Sequence, residues 1–237
     1  MNIGINIVLI VAVLIVLASA FIGFGRGLIK SVFSTFALIV AIVLALQIMP
    51  YGTKFLKTTP LYTNINDSIQ SAFDDKLQVA TEGVGQQMEA IDQMDGMPEF
   101  IRDLLKTNNN ADMYEALGIS EFSEYVSNYI TCLILNAISL VVSFLVLYII
   151  LRIVGCMLDM MSRIPVVNGL NKIGGFIFGL LNGVVYLWIA CIIITIFSAT
   201  SWGQYIFAQI NDSVILSFIY NNNYLLELLA NMGKVLF

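Results

Sequence analysis

Tyr129–Leu151 reads YITCLILNAISLVVSFLVLYIIL, twenty-three residues without a charge. At about 1.5 Å per residue, a helix of this length crosses the roughly 30 Å hydrocarbon core of a bilayer. Three other stretches behave in the same way. Met1–Gly25, Ser31–Thr53 and Ile173–Asn211 also lack charged side chains, as does the longer Tyr125–Leu151 that contains the first stretch. Each exceeds the ~20 residues a spanning helix needs. The whole chain of 237 residues is 59% apolar and 11% charged, against about 25% charged in soluble domains. It is therefore read as an all-α polytopic membrane protein. Four transmembrane helices form two hairpins, joined by an extramembrane helical cap and followed by an amphipathic C-terminal helix.

Four regions follow: a transmembrane hairpin over 1–50, an acidic helical insert over 51–128, a second hairpin over 129–200 and an amphipathic tail over 201–237. The first span runs from about Ile5 to Ile22 and closes in Gly23-Phe24-Gly25-Arg26-Gly27, too rich in glycine for good helix. The second starts just after Lys30 and ends near Met49-Pro50, so the short connection makes the two antiparallel neighbours. The third helix projects toward Met161 before Pro165 ends it, and the fourth covers Gly174 to Phe197. The first span lacks a preceding positive charge, and Ala18-Ser19-Ala20 is a weak cleavage sequence, so it is read as retained rather than as a signal peptide.

Within the insert, Ile65, Ile69, Ala72, Phe73, Leu77, Ala80 and Val84 recur at helical spacing, which predicts one amphipathic helix weakened at its end by Gly83 and Gly85. Asp95-Gly96 predicts a turn, Pro98 the first position of a short helix, Asn108-Asn109-Asn110 its stop, and Ser120 the N-cap of the helix entering the third span. In the tail, Trp202 and Tyr205 are placed at the membrane interface. After the Asn221-Asn222-Asn223 break, Leu225, Leu228, Leu229, Met232, Val235 and Leu236 share a face, predicting a helix on the membrane or under the insert.

Charge is distributed unevenly. The insert holds thirteen acidic and five basic residues, more than accounting for the net charge of −5. Arg26, Lys30, Arg152, Arg163 and Lys172 all flank the two short connections. The positive-inside rule therefore places those connections in the cytoplasm, and both termini and the insert outside. No basic stripe exists to bind nucleic acid.

The residue inventory also narrows the chemistry. Histidine is absent, which excludes His-dependent triads and imidazole switches. Cys132, Cys156 and Cys191 lie in or beside apolar runs and read as small buried hydrophobes. Neither catalytic, cofactor-binding nor metal residues are assigned. The insert carboxylates lack the spacing of a calcium loop, and two Asn-x-Ser sequons at Asn66 and Asn211 match by chance. Ser34, Thr35, Gln47, Asn136, Ser139, Ser143, Asn182 and Thr195 lie within spans and are read as hydrogen-bonding between helices, with a lined water path as the alternative. Arg152 and Asp159, seven apart on one helical face, are a candidate ion pair at a span end. Arg26 is read as an anchor at the cytoplasmic surface, reaching anionic headgroups or Asp159.

Gly175, Gly179 and Gly183 recur every fourth residue, with Gly23 and Gly27 repeating the spacing at the end of the first span. Such stripes let another backbone approach closely, whether from the same chain or a second copy.

The segment 23–31, GFGRGLIKS, and the segment 164–179, IPVVNGLNKIGGFIFG, together resemble the colicin V production protein (CvpA) family, bacterial four-span inner-membrane proteins. In that family an Arg-Gly pair follows the first span. A glycine-rich stretch opens the last one, after a Pro and an Asn or Asp beside a basic residue. Arg26, Gly27, Asn171, Lys172, Gly175 and Gly179 match, with Pro165 upstream. The resemblance covers 1–50 and 129–200, and the insert departs from the short form, as in versions from Gram-positive anaerobes. It implies a multi-pass protein of the bacterial cytoplasmic membrane tied to production or export of a toxin and to envelope homeostasis. The expected function is accordingly a non-enzymatic accessory or scaffold protein without cofactors. Its partners are the lipid bilayer and a second copy or other membrane proteins. A small transporter or channel subunit is the alternative.

Overall fold

A computed structural model describes residues 6–77, 83–94, 97–159, 168–198 and 200–233, with side chains for all of these except 74–77, 154–159, 168 and 230–233. The four long apolar helices are α1 (Ile7–Arg26), α2 (Leu28–Lys57), α7 (Phe122–Asp159) and α8 (Asn168–Ile196). Between them the insert folds into α3 (Pro60–Leu77), α4 (Val84–Asp92), α5 (Glu99–Asn108) and α6 (Ala111–Leu117). The tail folds into α9 (Ser201–Asn211), α10 (Val214–Asn221) and α11 (Tyr224–Gly233). Among the described residues there is no strand, and the chain is an all-helical protein with four membrane-spanning helices.

The first hairpin turns on one residue. Gly27 has φ +81°, a conformation that a Cβ would strain, and its N–H bonds to the Gly23 carbonyl at 2.9 Å while its own carbonyl starts α2 through Ser31. Gly23 and Gly25 are nevertheless helical, against the sequence expectation. The cost of glycine in a helix, about 1 kcal/mol, is offset where the missing side chain lets another backbone approach. α2 also runs beyond the expected stop, through Pro50 to Lys57. A proline removes one backbone donor, here the one that would reach the Leu46 carbonyl, and packing against α7 holds the helix together across it. Ser139 Oγ of α7 donates to the Met49 carbonyl at 2.8 Å, and Thr53 Oγ donates to the same oxygen at 3.1 Å.

Packing runs between the hairpins more than within them. α1 lies antiparallel along α8, α2 lies antiparallel along α7, and α8 also contacts α2 and α7. The short link sets α1 and α2 antiparallel, yet their mutual contact is slight. Leu38, Ala41, Ala45 and Met49 of α2 form the buried core with Ile134, Ala137, Leu140 and Phe144 of α7 and Leu187 and Ile192 of α8. Cys132 and Cys191 are buried free thiols, as expected of small hydrophobes.

The insert rests on the first turns of α7. Ile69 and Phe73 of α3 are buried, and Tyr125 Oη donates to the Leu105 carbonyl of α5 at 2.7 Å. Asn108 closes α5 and donates to Tyr129 Oη, while Asn110 caps α6 through the Met113 N–H. The predicted helix from Ile65 to Val84 is not continuous, since Gly83, at φ +99°, precedes a separate α4. Residue 80 of the predicted face and the Asp95-Gly96 turn lie outside the described residues. Pro98 stands just before α5 rather than in it. Ser120 does not cap α7, because the Glu121 carbonyl accepts the first intrahelical bond, from Tyr125 N–H.

The tail is the largest departure from expectation. Thr200, Ser213 and Asn223 cap three consecutive short helices. Gln209 of α9 binds the N-terminus, accepting from Asn6 Nδ2 at its carbonyl and from the Val8 N–H at its side chain. α11 packs against α7 and α8 instead of lying apart on the membrane. Its buried face is Leu225, Leu226 and Leu229, with Leu228 exposed, and the predicted Val235 and Leu236 lie outside the described residues. Asn223 Nδ2 donates to the Trp188 carbonyl at 3.0 Å, tying α11 below the end of α8.

Candidate functional site

At the end of the bundle opposite the insert, the α1–α8 contact is made of backbone. A Cβ built on Gly179 would stand 2.9 Å from Ala20 Cα, one on Gly183 2.9 Å from Val16 Cα, and one on Gly175 2.8 Å from the Gly27 carbonyl carbon. Gly23 faces Gly175 and Gly179 from the other helix. The partner of the glycine stripe is thus α1 of the same chain. Asn171 Oδ1 accepts the Leu28 N–H at 2.7 Å, capping α2 from α8, and its side chain fills the space over Gly27. The Lys172 ammonium sits 5.6 Å from the Phe24 ring centroid, within cation–π range. Gly27, Asn171, Lys172 and Gly175 therefore form one joint linking the two hairpins.

Beside this joint the bundle encloses a polar cavity of about 100 Å³. α1 contributes Ser19, Gly23 and Arg26; α2 contributes Ser31 and Ser34; α7 contributes Tyr148 and Arg152; α8 contributes Gly179, Asn182 and Tyr186. Arg26 is exposed at the mouth and Arg152 is half-buried. Both lie within electrostatic reach of Tyr186, whose hydroxyl meets Tyr148 Oη at 3.1 Å. Asn182 stands halfway along α8, so the cavity reaches from the arginine end to about the middle of that helix. Ser34 Oγ and Asn182 Oδ1 are buried and have no hydrogen-bond partner among the described residues. A buried polar group left so costs about 1–3 kcal/mol, unless water or a ligand fills the space beside it.

Among the described residues no carboxylate lines the cavity and neither arginine has an acidic partner. The Asp159 side chain and Pro165 lie outside the described residues, so the Arg152–Asp159 pair does too. Arg26 faces the interior as well as the membrane surface.

Asn136 Oδ1 of α7 is likewise buried without a hydrogen-bond partner among the described residues, whereas other polar span residues are bonded. Ser139 bonds across to α2, Thr195 meets Tyr220 Oη at 2.8 Å, and Thr35 bonds back to its own helix. Sequence reasoning had isolated Ser34 and Asn182 but missed the two tyrosines. The usable signal is i,i+4 pairing of polar residues within a span, at a charged end for Tyr148 with Arg152 and in mid-span for Asn182 with Tyr186.

Toward the insert the cavity is closed by the apolar core. The next space, lined by Ile42, Leu140, Phe144, Ile189, Ile192 and Leu225, is only about 10 Å³. A separate cavity of about 280 Å³ lies at the base of the cap among Lys57, Tyr62, Leu117, Asn128 and Cys132. There Tyr62 donates to Asn128, and burial, reinforced by Cys132, pushes the Tyr62 hydroxyl above the ordinary tyrosine range. Among the described residues no three acidic, cysteine or histidine side chains converge as a metal site requires.

The family model described as Colicin V production protein matches residues 9–74 and 116–223, leaving out the middle of the insert. No curated protein and no solved structure matches the chain.

Proposed function

The chain belongs to the colicin V production protein family, and from that premise we propose that it is a non-enzymatic accessory protein of the bacterial cytoplasmic membrane. In this reading it serves toxin production or export and maintenance of the envelope. The observation that carries it is the seal. Leu38, Ala41, Ala45 and Met49, each fully buried, meet Ile134, Ala137, Leu140 and Phe144 of α7. A conduit needs a polar path through this layer. An accessory protein needs a stable bundle that presents a fixed face, and the contacts of Phe100 with Tyr220 and of Gln209 with Asn6 and Val8, which join insert, tail and α1, support that reading. The basic connections face the cytoplasm in this reading and the cap faces outward. One observation favours a transporter or channel subunit instead, namely the cavity with unpartnered Ser34 and Asn182.

Purified full-length protein in liposomes separates the two. The accessory reading expects ion and small-solute flux at the level of protein-free liposomes, whereas robust flux overturns it. Orientation is tested by Gln93→Cys in intact cells. Labelling by a membrane-impermeant thiol reagent is expected, and protection of that site reverses the assignment.

A further inference from the structure

We propose that the arginine-lined cavity is a binding site for a phosphoryl group. Three observations converge on an oxyanion. Arg26 and Arg152 bring two positive charges to one space that no carboxylate lines among the described residues. Guanidinium groups stay charged and bind phosphate or carboxylate through a planar pair of N–H donors. Ser34 and Asn182, each 6% exposed, close the inner end of that space, so a group held between them and the half-buried Arg152 is shielded from bulk water on its inner side. Finally, hydroxyls line the cavity: Ser31 Oγ donates to the Gly23 carbonyl and Tyr148 and Tyr186 share one hydrogen bond, which leaves one tyrosine O–H, and Ser34 Oγ with no partner among the described residues, to meet a ligand.

The number of donors selects the ligand class. A carboxylate brings two oxygens and a single negative charge, which leaves one of two guanidinium groups without a counter-charge. Two guanidinium groups and these hydroxyls suit a tetrahedral group with more acceptor oxygens and a charge between −1 and about −2. The Asn182 amide, whose orientation sets whether it donates or accepts, supplies a contact at the inner end. With about 100 Å³ available, the space admits one phosphoryl group with accompanying water, and the rest of any larger molecule that carries it stays outside the mouth. Its mouth, at Arg26, opens where lipid headgroups and solutes of that compartment both reach. The source is therefore a phospholipid headgroup or free inorganic phosphate. The inference does not depend on the accessory role, because a site of this kind fits either reading of the bundle.

The test uses the full chain in neutral detergent, titrated with inorganic phosphate or with dihexanoyl phosphatidylglycerol below its micelle concentration. Sodium chloride and sodium acetate at matched ionic strength are the controls, and thermal unfolding and calorimetry are read together. Saturable binding is expected, with a rise in unfolding temperature that neither chloride nor acetate reproduces. Arg26→Gln and Arg152→Gln should each weaken it at least tenfold, Ser34→Ala a few-fold, and Arg26→Lys should recover only part of the loss. Lys54→Gln, which removes a positive charge at the far end of α2, should leave it unchanged.

Saturation by inorganic phosphate identifies the free anion as source, and response to the lipid alone identifies the headgroup. Equal effects of acetate, or undiminished binding in folded Arg26→Gln and Arg152→Gln, would overturn the proposal, as would no saturable response to either probe. If Arg152→Gln fails to fold, Arg26→Gln at the exposed mouth decides the matter alone.

Discussion

The two halves of the membrane bundle are built by opposite means. Toward the short connections, α1 and α8 meet backbone to backbone over Gly175, Gly179 and Gly183, and the space beside them stays open and polar. Toward the insert, α2, α7 and α8 meet through Leu, Met, Ile and Phe side chains that leave almost no space. In lipid, helices gain little from hiding apolar surface, so association rests on close packing and interhelical hydrogen bonds. Glycine contacts achieve close packing with few side-chain atoms, which lets small polar residues and arginines stand beside them. Large side chains achieve it by filling volume, which excludes water. The contrast assigns binding to one half and closure to the other.

The sharpest way to break the comparison is to put bulk into the glycine half. Gly179→Leu would drive a side chain into the Ala20 backbone, where no rotamer change relieves the clash. The expected loss is at or above the upper end of ordinary overpacking, about 3 kcal/mol, seen as little monodisperse protein in detergent. Ile193→Leu, at a partly lipid-exposed site on the same helix, should be tolerated. Similar yields from the two would mean that α1 and α8 do not touch at Gly179.

A smaller effect sharpens it. Each half is pinned by an asparagine that caps a neighbouring helix. Asn171 accepts one N–H, from Leu28, whereas Asn223 accepts from Leu225 and Leu226 and also donates to Trp188. Asn171→Ala should cost about 1 kcal/mol, and Asn223→Ala about 2, by thermal unfolding. The second should also make α11 more accessible to protease. The reverse order would place the weaker attachment at the tail.

Much of this was legible in the sequence, for reasons that separate cleanly. The four spans and the acidic insert follow from charge exclusion, which the bilayer enforces along the chain and which needs no knowledge of neighbours. The glycine stripe and the motif pair around Arg26 and Asn171 were visible as patterns, but a pattern on one helix does not name the helix it meets. That is why α1 was expected against α2 and is found mainly against α8. Pro50 looked like an end because local propensity argues so, while the Ser139 hydroxyl that reaches the Met49 carbonyl from α7 belongs to tertiary packing. The cavity was hidden for the same reason. Ser34, Tyr148, Asn182 and Tyr186 are unremarkable one at a time, and only the assembled bundle brings them to one space.

The division between an open half and a closed half is tested most directly by thiol accessibility. In a background with Cys132, Cys156 and Cys191 replaced by Ala, Ser34→Cys and Ala41→Cys sit about two helical turns apart on α2, on either side of the proposed boundary. A small charged methanethiosulfonate reagent is applied to oriented membrane vesicles from each side in turn. The cysteine at 34 should react from the Arg26 side only, and the one at 41 from neither. Reaction at 41 from both sides would show a continuous aqueous path and contradict the seal.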